Sequence, residues 1–289
     1  MKIAVLGATG QLGTDCVAAL RASGHEVLAL AHEDADIADA EAVGRALGSF
    51  APDAVVNAAA FHNVDRCERE PERAFLVNAV APRGLARLSN DLGFRLVHIS
   101  TDYVFDGTKG APYVESDEPR PINVYGHSKL SGELFVRAIA RRHCVVRVSA
   151  IYGLNPCRAK GGANFVTTML RLAREKGEAR VVDDEFVSPT WTADIARQLP
   201  ALLTRDDNGV VHAASRGACS WHDFARAIFD ISRTPARLER AASSDFPART
   251  PRPRFSALDN ARLRGWGIDL MPPWRAALER YLGCHTLTF

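Results

Sequence analysis

The sequence predicts an α/β fold: a doubly wound parallel sheet with a smaller C-terminal lobe. Three observations lead there. Short apolar runs alternate with longer helical stretches through the first half of the chain. Those runs are apolar at most positions rather than at alternate ones, which marks strands buried on both faces. Regularity then stops near Tyr152, where a glycine-rich loop begins.

Each element has its own reason. "KIAVLG" is the first strand, and the stretch after it keeps Leu12, Cys16, Ala19 and Leu20 at helical spacing. "HEVLALA" is the second strand, with a helix near residues 39–47 behind it. "DAVVNAAA", entered from Pro52, is the third. Residues 72–92 read as one long helix bent at Pro82, because proline removes a helical hydrogen bond. "FRLVHIS" is the fourth strand, residues 124–141 a helix and "CVVRVS" the fifth strand. After the loop "GLNPCRAKGGAN" come an amphipathic helix at 165–175, the segment "ARVVDDEFVSPT", a helix at 192–203 and a strand in "GVVHAAS". Residues 221–232 are helical. "FPARTPRPRFSA" is an extended surface loop, since prolines at 247, 251 and 253 forbid helix. A helix at 273–282 is the last.

Composition removes several classes of function. The 289 residues are 47% hydrophobic and 24% charged, as in an ordinary globular protein. A formal charge of +2, evenly spread, gives no footprint for nucleic acid. No run approaches the roughly 18 apolar residues of a membrane span. The opening "MKIAVLG" already reads as a strand, so no cleaved leader is expected. Six cysteines are scattered without a C-x-x-C pair, which argues against zinc and disulfides and for reduced thiols in a cytoplasm.

"GATGQLG" puts Gly7, Gly10 and Gly13 directly after the first strand and at the start of the first helix. Glycines there permit a tight turn and close backbone approach, and the helix N-terminus offers unpaired N–H groups to a pyrophosphate. The sheet is therefore of the Rossmann type. Gly7, Thr9, Gly10, Gln11, Leu12 and Gly13 form the expected phosphate loop. Residues 1–154 form the dinucleotide-binding domain, to which 190–213 returns, and 155–289 are mainly a substrate-binding lobe. The second strand ends at His32 with no carboxylate at its tip, which favours NADPH over NADH, although Glu33 and Asp34 follow closely. Asp36 and Ile37 lie near the adenine. The small side chains of Ala58, Ala59 and Ala60 let the cofactor lie against the third strand's end.

Tyr125 and Lys129 stand four apart on one helical face. An ammonium beside a phenol favours the phenolate, so Lys129 is expected to lower the Tyr125 pKa and make it a proton donor or acceptor near neutrality. Thr101, at the end of the fourth strand, converges with Tyr125 beside the nicotinamide. There Thr101 donates to a carbonyl oxygen, Tyr125 protonates it, and Lys129 also holds the ribose.

The ordered run "GATGQLG", "PDAVVNAAA", "VNAVAP", "LVHISTDYVFDG", "PYVESDEPRPINVYGHSKLSGE", "NFVTTMLRLA", "VVDDEFVSPT", "SWHDFARAIF" and "RPRFSALDNARL" resembles the dTDP-4-dehydrorhamnose reductase family, extended short-chain reductases, over essentially the whole chain. The resemblance implies reduction of a 4-keto-6-deoxy sugar nucleotide to dTDP-L-rhamnose. It implies Thr101, Tyr125 and Lys129 as the catalytic set, and Asp102, Tyr103, Ala150, Asn164, Phe165 and Arg252 around the sugar nucleotide, Arg252 meeting a diphosphate bidentately. The family uses NADPH or NADH, and some members are magnesium-linked dimers, so a monomer or homodimer is expected.

The sequence departs from the family pattern on the substrate side. Val148-Ser149-Ala150 stands where Thr-Ser-Trp is usual, and the missing ring opens the sugar pocket. Phe61, His62 and Asn63 follow "NAAA", Glu185 and Val187 alter the "DDQ-x-G-x-P" run, and Phe255 replaces an Asn. No metal ligand set is expected: Asp15, where some relatives carry a magnesium-linked Glu, reads as a first-turn helix acid, and Asp183-Asp184 as a solvated pair. Tyr103 occupies the place of the second carboxylate that a dehydratase needs. A nucleotide-sugar epimerase and a non-catalytic NADP-binding regulatory subunit, of the methionine adenosyltransferase type, are the other readings.

Overall fold

The computed structural model describes residues 1–157, 161–246 and 250–284. Pro247, Arg249 and part of the glycine-rich loop lie outside them. Six strands form the central sheet: β1 (Lys2–Leu6), β2 (Glu26–Leu30), β3 (Ala54–Asn57), β4 (Arg95–Thr101), β5 (His143–Val148) and, far along the chain, β10 (Val210–His212). Their order is β10-β5-β4-β3-β1-β2 and every pairing is parallel. Alternate residues of β1 face opposite layers. Ile3 and Val5 pack with Leu12, Cys16 and Leu20 of α1 (Gln11–Ala22) and with Ile195 and Leu199 of α8 (Thr192–Leu203). Ala4 and Leu6 pack with Val43 and Leu47 of α2 (Ala40–Phe50), Leu85 of α5 (Ala81–Leu92) and Val136 of α6 (Val124–Ile139). Helices on both faces are what strands apolar throughout require.

The long helix expected over 72–92 forms, helical throughout from Pro71 to Leu92, but it widens within. After α3 (Val64–Arg69), α4 (Pro71–Phe75) runs into a π-helical turn, Leu76–Val80, before α5 begins. Pro82 lies two residues past this turn, so the irregularity falls before the proline rather than at it. The wider turn presents Asn78 inward, 1% exposed. Its side chain accepts from the Phe61 N–H at 2.9 Å and donates to the Phe61 carbonyl at 2.9 Å and to Ser128 Oγ at 3.0 Å. The π turn thus pins the loop that leaves β3, in keeping with the frequent placement of such turns at functional sites.

The smaller lobe has its own core. Val166, Met169 and Leu170 of α7 (Phe165–Lys176), Phe224 and Ile228 of α9 (Trp221–Ser232) and Leu278 and Tyr281 of α11 (Trp274–Cys284) surround Tyr152 and Trp191. Three two-stranded pairs stiffen it: β6 (Ile151–Tyr152) with β9 (Thr190–Trp191), β7 (Glu178–Val182) with β12 (Arg237–Ala241), and β8 (Phe186–Val187) with β11 (Cys219–Ser220). A short α10 (Ala261–Gly265) returns to the central sheet beside β10. No helix among the described residues is long and apolar enough to cross a membrane.

Candidate active site

In a parallel sheet the crevice for a ligand opens at the strands' carboxyl ends, where the order reverses. In this chain that point lies between β1 and β3. Gly7, just past β1, has φ +73°, and a Cβ there would lie 2.8 Å from the Ala59 nitrogen. A Cβ on Gly13 would fall 2.1 Å from the Gly7 carbonyl oxygen. Gly10 caps α1 with no side-chain hydrogen bond, so the first N–H groups of the helix are left for an anion. Backbone crowding that only glycine tolerates, beside an uncapped helix start, fits a dinucleotide pyrophosphate. Thr9 is half-buried at this loop. The side chains of Gln11 and Leu12 turn inward: Gln11 Nε2 donates to the Asn155 carbonyl at 3.1 Å and Leu12 joins the core.

Asp15 is not a first-turn acid, because α1 has none. Its carboxylate accepts from Asn155 Nδ2 at 2.9 Å and Thr192 Oγ1 at 2.5 Å, joining α1 to the loop after β6 and to the start of α8.

At the far end of the crevice, His32 is largely exposed, its Nδ1 3.8 Å from Asp36. Asp36 also accepts from the Ala38 N–H at 3.0 Å and from Arg73 at 3.3 Å. Burial pushes its carboxyl up, but these donors and the nearby cations hold it below the ordinary value. Ile37 is buried in the core beneath. Ala58 donates its N–H to the Leu6 carbonyl at 3.1 Å, and Ala59 to Asn57 Oδ1 at 3.2 Å, so the alanines from 58 to 60 follow β3 closely. Asn57 is itself held by His98 at 3.1 Å.

Thr101 ends β4, and Tyr125 and Lys129 lie on the first turns of α6. Asn123 caps that helix through the Gly126 N–H at 2.8 Å. A Cβ on Gly126 would stand 2.2 Å from the Tyr103 carbonyl, so glycine lets α6 press onto the 3₁₀ turn Asp102–Val104. The Tyr125 phenol stands near enough to the Thr101 hydroxyl to be influenced by it. The Tyr103 ring meets Tyr125 edge-on, 5.7 Å between centroids.

The expected lowering of the phenol by Lys129 does not hold. Burial pushes the Tyr125 pKa above its ordinary value, and the opposing influence is the nearby Thr101 hydroxyl. Lys129 Nζ is turned to the Ile99 carbonyl at 2.6 Å. Burial brings its own pKa down to about 8, with Glu133 acting the other way.

The substrate side is built from distant segments. Asp102 is expected against the sugar, but it is buried, and its carboxylate accepts from Thr101 Oγ1 at 3.0 Å, Ser149 Oγ at 2.9 Å and Ser256 Oγ at 2.6 Å. Ala150 follows with φ +44°, a left-handed conformation that strains an alanine. Asn164 caps α7 through the Thr167 N–H at 3.0 Å and donates to the Gly153 carbonyl at 2.8 Å and the Tyr281 hydroxyl at 3.3 Å. Phe165 packs on Trp221, 4.6 Å between centroids. Arg252 pairs with Asp65 at 3.3 Å and donates to the Thr250 carbonyl at 3.3 Å, so a diphosphate there competes with Asp65.

Asp183 and Asp184 are not a solvated pair. Asp184 accepts from the Ser243 N–H and hydroxyl, each at 2.8 Å. Asp183 accepts from Ser220 Oγ at 2.6 Å and pairs with Arg240 at 3.0 Å. With His222 and Asp223 it forms a compact group, but Arg240 and Arg226 already neutralise the two carboxylates. The group serves as an ion cluster tying α9 to β12.

A family model described as RmlD substrate binding domain matches residues 1–286. A dTDP-4-dehydrorhamnose reductase of Mycolicibacterium smegmatis is 39% identical over 281 residues, covering 96% of this chain and 84% of that protein. The chain belongs to the dTDP-4-dehydrorhamnose reductase family. Spore coat polysaccharide biosynthesis protein SpsK of Bacillus subtilis is 40% identical over 281 residues, 97% of this chain and 96% of that protein. The crystal structure of a Bacillus anthracis dTDP-4-dehydrorhamnose reductase in complex with NADP matches with a TM-score of 0.92 at 34% identity, covering 97% of this chain and 98% of that one.

Within this family member, several residues that hold the site escape sequence reasoning. Glu133 is fully buried and takes a bidentate ion pair from Arg147, at 2.9 and 2.7 Å, and a hydrogen bond from Ser100 Oγ at 2.5 Å. Its signal was present: Tyr125, Lys129 and Glu133 repeat every four residues on one face of α6. Arg73, Ser149 and Ser256 carry no such signal, because only the tertiary fold brings them to their partners.

Proposed function

We propose that this chain is an NADPH-dependent reductase of a 4-keto-6-deoxy sugar nucleotide, as in the step from dTDP-4-dehydrorhamnose to dTDP-L-rhamnose. One observation carries the reading: Thr101 at the carboxyl end of β4 and Tyr125 and Lys129 on the first turns of α6 meet beside the glycine cradle of β1 and β3. Bound there, the cofactor supplies a hydride to a carbonyl carbon. Tyr125, kept neutral by burial, presents an intact phenolic proton to the carbonyl oxygen. Thr101 stands beside the phenol at the end of β4, and Lys129, anchored under β4, puts a charge near the nicotinamide ribose. The Gly7–Gly13 loop holds the pyrophosphate, Ala58–Ala60 the cofactor's middle, and His32 and Asp36 its adenosine end. On the other side Tyr103, Ala150, Asn164, Phe165 and Arg252 frame the sugar nucleotide. NADPH is preferred to NADH, since Arg73 brings positive charge to the ribose end and no carboxylate stands at the tip of the second strand. Free thiols at all six cysteines suit a cytoplasmic setting.

Oxidation of NADPH in the presence of dTDP-4-dehydrorhamnose tests the reading, with NADH, added magnesium and light-scattering mass for monomer against homodimer as parallel arms. Stoichiometric oxidation is expected. Tight NADPH binding without oxidation by any 4-keto sugar nucleotide would overturn it in favour of a regulatory subunit, and interconversion of sugars without net oxidation in favour of an epimerase.

A further inference from the structure

We infer that Glu133, clamped by Arg147, is a positioning residue for Lys129, fixing its ammonium beneath the strand that ends at Thr101. The inference rests on the function proposed above, in which Lys129 meets the cofactor. Lys129 and Glu133 stand four apart on α6 and are 2% and 0% exposed. They grip consecutive residues of β4. Lys129 Nζ donates to the Ile99 carbonyl at 2.6 Å, and Glu133 Oε1 accepts from Ser100 Oγ at 2.5 Å. Thr101 is the next residue. In the parallel register of β4 and β5, Ser100 lies opposite Arg147. One carboxylate therefore spans both strands, taking Ser100 from β4 and, from β5, Arg147 Nε at 2.9 Å and Nη2 at 2.7 Å. The Arg147 guanidinium also lies over the Phe105 ring, 5.1 Å from its centroid, and Phe105 follows the 3₁₀ turn after Thr101.

A buried ion pair often adds little net stability, because desolvation offsets the attraction. The worth of this one is geometric: its contacts join three elements and leave α6 one register against β4. The Ile99 carbonyl takes one of the three N–H groups of Lys129, which leaves the others for the cofactor ribose. The charge of Glu133 acts in the same direction. Burial brings Lys129 down to about 8, and Glu133 opposes that loss. From β4 the imidazole of His98 also faces Lys129, and burial and the ammonium keep it uncharged. Arg147 of β5 lies beyond Glu133, and Tyr125, which Asp102 of the 3₁₀ turn and Cys67 of α3 face, is one turn back on α6. Without the Glu133 carboxylate, Lys129 gives up its proton at lower pH and a neutral amine stands at the ribose.

The test compares wild type, Glu133→Gln, and Glu133→Gln combined with Arg147→Met. The single change leaves the Arg147 guanidinium buried without its counter-ion and should lower the melting temperature. In the double variant a glutamine oxygen still accepts from Ser100 and no guanidinium is stranded, so the fold should hold. The first readout is the Kd for NADPH across pH, followed by fluorescence with no sugar present. In wild type, binding should weaken as pH rises through about 8, and in the double variant that inflection should move down by about one pH unit. The second readout is turnover: kcat at pH 8 should fall about tenfold while KM for the sugar nucleotide stays within about threefold. A folded double variant with wild-type kcat and an unmoved inflection would make the pair purely structural and overturn the inference. Absence of the inflection in wild type overturns it as well. A shifted inflection supports it even where the proposed substrate is not reduced, since NADPH binding needs no sugar. Should neither variant fold, Ser100→Ala decides, because it keeps every charge and frees Glu133 from β4. It should raise the NADPH Kd about threefold, and an unchanged Kd overturns the inference.

Discussion

The cofactor wall and the substrate wall of this site are made of different material. Under β1 and β3 the wall is backbone: Gly7, Gly13 and the alanines after β3 leave no space for a side chain, and one contiguous loop supplies most of it. Across the crevice the wall is side chains bonded to one another. Asp102 reaches Ser149 and Ser256, Asn164 reaches Gly153 and Tyr281, and Arg252 reaches Asp65, across separations of 47 to 187 residues and, for Asn164 to Gly153, of 11. A backbone wall tolerates no change of shape and recognises what every dinucleotide has. A wall of interlocked side chains can be re-cut one residue at a time.

Perturbing each wall separately should show this division. The largest effect belongs to neither. Tyr125→Phe removes the proton donor and should lower turnover by about 10²–10⁴-fold while NADPH affinity stays within about threefold, because the cradle lies elsewhere. Gly13→Ala attacks the backbone wall: a methyl group 2.1 Å from the Gly7 oxygen should raise the NADPH Kd at least about tenfold by calorimetry and lower the melting temperature. If NADPH affinity were unchanged, the backbone contrast would fail.

Asp102 gives the pH sign on the substrate wall. Its pKa of about 6 lies above the ordinary 3.8, so the folded protein binds this proton more tightly. The stability it contributes is present below about pH 4 and lost as pH rises through 6. Relative to Asp102→Asn, wild type should therefore lose about 2–3 kcal/mol between those limits, read from urea midpoints. Asn164→Ala is the mildest change. Loss of the α7 cap should cost about 1–2 kcal/mol and raise KM for the sugar nucleotide while NADPH binding is unaffected. A matched fall in NADPH affinity would mean that the two walls are one unit.

Legibility follows the same line. The phosphate loop, the Tyr125–Lys129 pair and the strand that delivers Thr101 are contiguous patterns with fixed spacing, and each lies where the sequence puts it. The π turn was not legible, because proline announces a break without saying on which side it falls. The roles of Asp102, Asn164 and Arg252 were not legible either. Whether a polar side chain faces ligand or protein depends on partners that periodicity does not reveal. Asp183 and Asp184 show the same limit, since two adjacent acids look solvated until Arg240, Ser220 and Ser243 are seen beside them.

The sequence by itself determined the doubly wound sheet, the glycine turn after the first strand and the helix face that Tyr125 shares with Lys129, because local spacing dictates helix faces and backbone turns. Tertiary structure alone decided the electrostatics of the site. Burial above all raises the Tyr125 phenol, the fold brings Lys129 to the Ile99 carbonyl, and only the meeting of β4, β5 and the smaller lobe surrounds Asp102 with three hydroxyls. Desolvation and long-range hydrogen bonding belong to the folded chain, and no reading of neighbours along the sequence contains them.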